Sequence, residues 1–183
     1  MNKRHLIPLL AAFGALPAHA AQLDLSVQIP QLDVAEYHRP YVAVWVERED
    51  RSVAANLSVW YQVKRGGGPN AMVPAPGAKP ESGTKWLPDL RQWWRRGGRD
   101  IAMPADGLTS ATKPVGTHEQ NFGDKSPLAS LPPGRYKLVV EAAREDGGRE
   151  LVDLAFDWPA KAATTLEASG KSELGAIRVA VKP

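Results

Sequence analysis

The 183-residue chain has no cysteine, which excludes a lipoprotein anchor, a disulfide framework, a thiolate metal site and a thiol nucleophile together. Stability must come from packing. Histidine is also scarce: of four, His5 and His19 fall in an expected leader, and His38 and His118 are far apart, so a histidine-rich metal site is not expected. Beyond the first residues no apolar run is long enough to span a bilayer. Charge of either sign is nearly balanced, because the formal +3 drops to +1 once Lys3 and Arg4 are removed, and no nucleic-acid partner is implied. Nucleophile-elbow and zinc-protease patterns are missing, and His118 with Ser126 or Asp124 is a coincidence of sequence rather than a hydrolase site. No repeat of fixed period is present, which argues against a solenoid or propeller.

What is present begins at the N-terminus. Lys3 and Arg4 precede an apolar stretch at residues 6–16 and the small-residue site Ala18-His19-Ala20, the pattern of a secretory signal peptide spanning residues 1–20. As a helix the apolar stretch would reach only about 16 Å, against roughly 30 Å of hydrocarbon, so cleavage is expected rather than anchoring. The remaining residues 21–183 can bury roughly two thirds of their unfolded surface, enough for a single domain with a full core.

Leu23, Leu25, Val27 and Ile29 alternate with polar residues, which predicts a half-buried strand. Residues 41–46 (YVAVWV) form a nearly continuous β-favouring run suited to a central strand, and residues 57–63 form another. Residues 64–84 are rich in Gly and Pro without periodicity, which predicts a long, mobile loop. Pro88 and Asp89 then open a short helical pattern in which Leu90, Trp93, Trp94 and Leu87 approach one face, closed by Gly97-Gly98. Residues 114–131 read as irregular. Tyr136, Leu138, Val140 and Ala142 alternate, Glu145-Asp146-Gly147-Gly148 supplies turn chemistry, and residues 151–158 return, so a hairpin is predicted there. With a last strand at 177–181 the count is six or seven. Short strands, Gly/Pro-rich connections and one brief helix predict a mainly β protein: an antiparallel, immunoglobulin-like β-sandwich with one short helix and long loops.

Residues 106–112, Asp106-Gly107-Leu108-Thr109-Ser110-Ala111-Thr112, resemble the signal at which bacterial flavin transferases attach FMN through a phosphoester, with Thr112 as the acceptor. Such a segment must be small and pliable to enter another protein's active site, and Gly107 and Ala111 allow close backbone approach. Asp106 and Thr109 match the acidic and hydroxyl positions of the signal. Ser110 stands where the usual pattern has Gly, a side chain at a position where a positive backbone angle would be needed. Without the resemblance, Asp-Gly followed by hydroxyl residues reads as an ordinary polar turn.

Four blocks in order extend the resemblance over most of the mature chain: RPYVAVWVE (39–47), KWLPDLRQWW (85–94), the motif ending Ala111-Thr112, and LPPGRY (131–136) through EAARE (141–145). In these blocks the chain resembles a family of predicted periplasmic proteins classed as domain of unknown function 2271. The resemblance implies a periplasmic location and two partners, a flavin transferase and a membrane protein that moves electrons.

The expected function is therefore a periplasmic electron-transfer protein carrying covalent FMN, a redox carrier rather than an enzyme with its own substrate. The cluster Trp86, Trp93 and Trp94 could offer the flavin an aromatic surface, although core packing is the commoner use of such rings; Trp93 and Trp94 cannot both point the same way on a helix. Arg91, Arg95, Arg96 and Arg99 could hold the phosphate, the flavin N1 anion or an acidic partner, and Lys113 adjoins the acceptor. The alternative is a periplasmic β-sandwich that binds a protein or small ligand and carries no flavin.

Overall fold

The computed structural model describes residues 21–62 and 83–183. The leader and nearly all of the Gly/Pro-rich loop expected at 64–84 lie outside the described residues. Among those described, nine strands form: β1 (Gln22–Ile29), β2 (Tyr41–Glu47), β3 (Val53–Tyr61), β4 (Thr109–Ala111), β5 (Gly116–Phe122), β6 (Gly134–Ala143), β7 (Arg149–Trp158), β8 (Thr164–Ser169) and β9 (Ala176–Lys182). They make a four-stranded sheet in the order β5-β1-β9-β8 and a five-stranded sheet in the order β4-β3-β2-β6-β7. The protein is mainly β, a sandwich of these two sheets.

The alternation in β1 sends Leu23, Leu25, Val27 and Ile29 inward. Opposite Leu23 and Leu25 in register stand Val181 and Val179 of β9. Together they pack on Val42, Val44, Trp60, Leu138 and Val140 of the other sheet. Tyr136 closes one corner, its hydroxyl donating to the Pro132 carbonyl at 2.7 Å. This is the tyrosine-corner arrangement of immunoglobulin-like sandwiches.

Why residues 41–46 form an unbroken apolar run is now evident: the five-stranded sheet is buried on both faces at its central strand, β2. Its outer face presents Ala43, Trp45, Val59, Tyr61, Val139 and Ala143 to Leu87, Leu90 and Trp93 of the segment between β3 and β4. That segment is a 3-10 stretch (Gly83–Asp89), α1 (Arg91–Arg95), the one α-helix among the described residues, and a further 3-10 turn (Gly98–Asp100). A five-residue helix has no stability of its own, and strand side chains supply what it lacks. Glu141 of β6 is fully buried and accepts the backbone N–H groups of Gln92 and Trp93 at 3.1 and 2.9 Å. A carboxylate from a strand thus does the work of an N-cap, and Arg149 balances its charge at 3.1 Å. Glu47 accepts from Trp45 Nε1 at 2.6 Å and pairs with Arg96.

The register between β2 and β3 steps from Val44 opposite Ser58 to Trp45 opposite Asn56, so Leu57 is an extra residue, a β-bulge. The bulge leaves Leu57 and Trp60 in the inner core. Asn56 accepts a hydrogen bond from Trp93 Nε1 at 2.9 Å. Gly98 lies directly against that indole, where a Cβ would sit 2.6 Å from the ring.

The structure departs from the sequence expectations in particular places. Residues 114–131 are not irregular, because they contain β5 and a 3-10 turn at Pro127–Ser130. β5 reaches the core with Phe122 but turns Gly116, His118 and Gln120 inward at its other positions on that face: the His118 ring meets Trp60 edge-on at 5.8 Å, and Gln120 Nε2 donates to Ser58 Oγ at 2.9 Å. β8 is an edge strand with no fully buried residue, so its pattern is nearly silent. β3 begins at Val53 rather than at 57. The sandwich is not wholly antiparallel either, since β3 and β4 run parallel.

Candidate functional site

The motif 106–112 opens in a turn. The N–H groups of Leu108 and Thr109 both reach the Ala105 carbonyl, at 3.2 and 3.0 Å, and Thr109 Oγ1 accepts from the Ala105 N–H at 2.9 Å. Gly107 takes φ +71 there, a conformation that L side chains avoid. Residues Thr109–Ala111 then extend as β4, pairing Val59, Trp60 and Tyr61 with Thr109, Ser110 and Ala111. The motif is therefore not a loose loop throughout: its middle is a half-buried edge strand. The positive backbone angle falls at Gly107, whereas Ser110 is in extended backbone that any residue adopts. Ser110 has a different cost, because its Oγ is buried with no hydrogen-bond partner in the structure.

Parallel pairing decides where Thr112 goes. β4 leaves the sheet at the same end as β3, so Thr112 comes out beside Gln62. Since β2 is antiparallel to β3 and β6, its first residue and the last of β6 are at that end too. The result is a cleft of about 270 Å³ lined by Thr112, Gln62, Tyr41 and Ala143 from the strand ends, His38 and Arg39 from the approach to β2, Glu145 after β6, and Trp86 and Asp89 from the 3-10 stretch. An antiparallel β4 would have carried Thr112 toward the opposite end of the sheet.

The chemistry of the cleft is aromatic and polar together. Trp86 is 40% exposed, with the Lys85 ammonium 5.2 Å from its ring centroid. Tyr41 packs edge-on to Tyr61 at 6.4 Å. Burial pushes the Tyr41 hydroxyl above the ordinary tyrosine range, and the Gln62 backbone hydrogen bond only partly offsets this, so at neutral pH it is an uncharged hydroxyl. Arg39 is exposed at the rim, while His38 Nε2 lies 3.4 Å from Glu36 and its Nδ1 lies 4.0 Å from Glu145. Gly83 keeps the first turn of the 3-10 stretch against the strand ends: its N–H donates to the Gln62 carbonyl at 2.9 Å, and a Cβ there would meet that oxygen at 2.7 Å.

The other expected site residues are spread out. Asp106 and Gly107 line a separate hollow of about 850 Å³ with Asn56, Gln120, Asp124 and Lys125, so the two ends of the motif face different recesses. Trp93 is fully buried and is a core residue of the outer cluster, with no ring face left for a ligand. Trp94 is half-buried, 6.3 Å from Trp93, and neither lines the Thr112 cleft. Arg96 is engaged by Glu47 and Arg99 lies 3.9 Å from Asp100, while Arg91 and Arg95 are exposed on α1. The Lys113 ammonium is 5.9 Å from the Trp60 ring centroid. Of the three tryptophans considered for an aromatic surface only Trp86 lines the cleft with Thr112, and sequence reasoning missed Tyr41 and Arg39 as its neighbours. Their only signal was membership of the same ordered blocks, since no local periodicity connects residues 39–41, 86 and 112.

An indole, a neutral phenol, a guanidinium and a hydroxyl share one cleft with the carboxylates of Asp89 and Glu145. The volume falls just below the roughly 300–1,000 Å³ of pockets that enclose a whole small molecule. Among the described residues no helix is long and apolar enough to cross a membrane. Neither the curated proteins nor the solved structures held a significant match to the chain. One family does match, across residues 22–176, which takes in the cleft and every strand but β9. The chain belongs to the family described as predicted periplasmic protein, DUF2271.

Proposed function

We propose that the protein is a periplasmic redox carrier, delivered by the signal peptide at residues 1–20, whose FMN is joined to Thr112 by a flavin transferase. In that reaction the Thr112 hydroxyl attacks the FMN phosphorus of FAD, the pyrophosphate bond breaks, AMP leaves, and the hydroxyl proton is released. The carrying observation is the position of Thr112: the motif's acceptor hydroxyl lines a cleft with an exposed indole, a neutral phenol and a guanidinium. A shallow cleft of this size would hold a free flavin poorly, whereas a covalent link keeps its local concentration high without a deep pocket. Bound FMN would supply two-electron chemistry. The chain's own residues would orient the ring and set its electrostatic surroundings, and a membrane electron-transfer protein would be the partner.

The test is intact-mass spectrometry of the mature protein after co-expression with a flavin transferase, with peptide mapping across residues 100–125. A gain of FMN minus water on the peptide carrying Thr112, lost in Thr112→Ala, is the expected result. An unmodified mass, with a known acceptor modified in the same cells, would leave a periplasmic binding module for a protein or small ligand.

A further inference from the structure

We infer that Trp86 is the wall against which the flavin ring stacks, an inference that rests on attachment at Thr112. The chain has six tryptophans. Trp45, Trp60 and Trp93 are fully buried, Trp158 is 4% exposed, and Trp94 packs on the outer cluster. Trp86 alone is strongly exposed, and it is the one aromatic among the exposed large hydrophobic residues described. Leaving much of an indole in water forfeits apolar burial, at about 25 cal/mol per Å², in a protein that buries four of its other five tryptophans. That indole lines the cleft containing the acceptor hydroxyl.

Its support is rigid, as a stacking wall requires. One residue on, Leu87 is 2% exposed and anchors the 3-10 stretch in the outer cluster. At its start Gly83 is hydrogen-bonded to Gln62, and just beyond its end Glu141 holds the first turn of α1. Offset stacking on an aromatic face gains beyond the area it covers. It also accounts for the small cleft: the ring lies on Trp86 and is not enclosed, and its outer edge stays open for electron exchange.

The experiment compares wild-type, Trp86→Ala and Trp86→Phe proteins loaded by the transferase, reading intact mass and flavin fluorescence. An indole in van der Waals contact quenches flavin emission by donating an electron to the excited ring. With equal FMN mass on Thr112 in all three, emission is expected to rise several-fold in Trp86→Ala and to lie between in Trp86→Phe. The Phe variant keeps an aromatic at the wall and guards against misfolding of the Ala variant. Equal emission from all three at equal loading would overturn the stacking assignment while leaving attachment intact. Should mass show no FMN on the wild type, attachment itself has failed. The stacking assignment, which rests on that attachment, then falls with it.

Discussion

At the scale of single residues, the motif separates into positions with different tasks. Thr112→Ala should abolish flavin attachment and leave thermal stability nearly unchanged, since Thr112 is a half-buried residue after the end of β4. Ser110 should behave in the opposite way. Its buried hydroxyl has no partner, and a buried unsatisfied group costs about 1–3 kcal/mol. Ser110→Ala is therefore expected to raise the melting temperature, and a fall on calorimetry would mean that the hydroxyl is satisfied after all. Ser110→Gly should gain less, because glycine in a strand gives back about 0.5–1 kcal/mol in backbone entropy. Gly98→Ala, by contrast, forces a methyl group into the Trp93 ring, and overpacking of this kind costs about 1–3 kcal/mol; urea denaturation will measure it.

At the scale of elements, the segment over the outer face is held by acceptors on strands rather than by its own helix. Glu141→Ala should destabilise the protein by about 1–3 kcal/mol, since it leaves buried N–H groups at Gln92 and Trp93 without a partner. Amide exchange in residues 91–100 should accelerate far more than in β1 or β9, and uniform acceleration would show that Glu141 supports the whole sandwich instead. The strands that were legible in the sequence are those with apolar residues to bury. β1, β2, β6, β7 and β9 announced themselves through alternation or an apolar run. β5 was illegible because His118 and Gln120 occupy its inward positions, and their partners Trp60 and Ser58 are remote in sequence. β4 was illegible because a three-residue strand at a sheet edge has no period to display. The acceptor motif could be read locally, but its cleft could not: Tyr41, Trp86 and Thr112 meet only through the pairing of β2, β3 and β4.

At the scale of the whole molecule, acid should weaken the sandwich first through its four-stranded sheet and the turn that feeds it. Glu150 would have its carboxyl raised by burial, but the N–H groups of Lys171, Leu174 and Ser172 donate to it and bring it below its ordinary value of 4.5. Asp24 is likewise held low, chiefly by its hydrogen bond to Lys182 at 2.7 Å. A carboxylate depressed on folding adds stability that is fully present above its unfolded value and is lost as pH falls through its folded value. Unfolding free energy should therefore decline below about pH 5, and Glu150→Gln should flatten that decline. An unchanged slope in the variant would place the acid sensitivity elsewhere.

The parallel pairing of β4 has a consequence in time as well as in space. Hairpins such as β6 with β7 close short loops, but joining Thr109 to Val59 closes one that runs through the whole outer segment, and closure entropy grows with loop length. Three rungs at a sheet edge offer little in return. This corner should be among the last to assemble in a newly exported chain and among the first to open afterwards. Before closure Thr112 is a hydroxyl on a free thread; after closure it is part of a wall. On the proposed attachment, a modifying enzyme would meet Thr112 as peptide in an early period, and the closing of a single short strand would later bring the group it carries up against Trp86 and Tyr41.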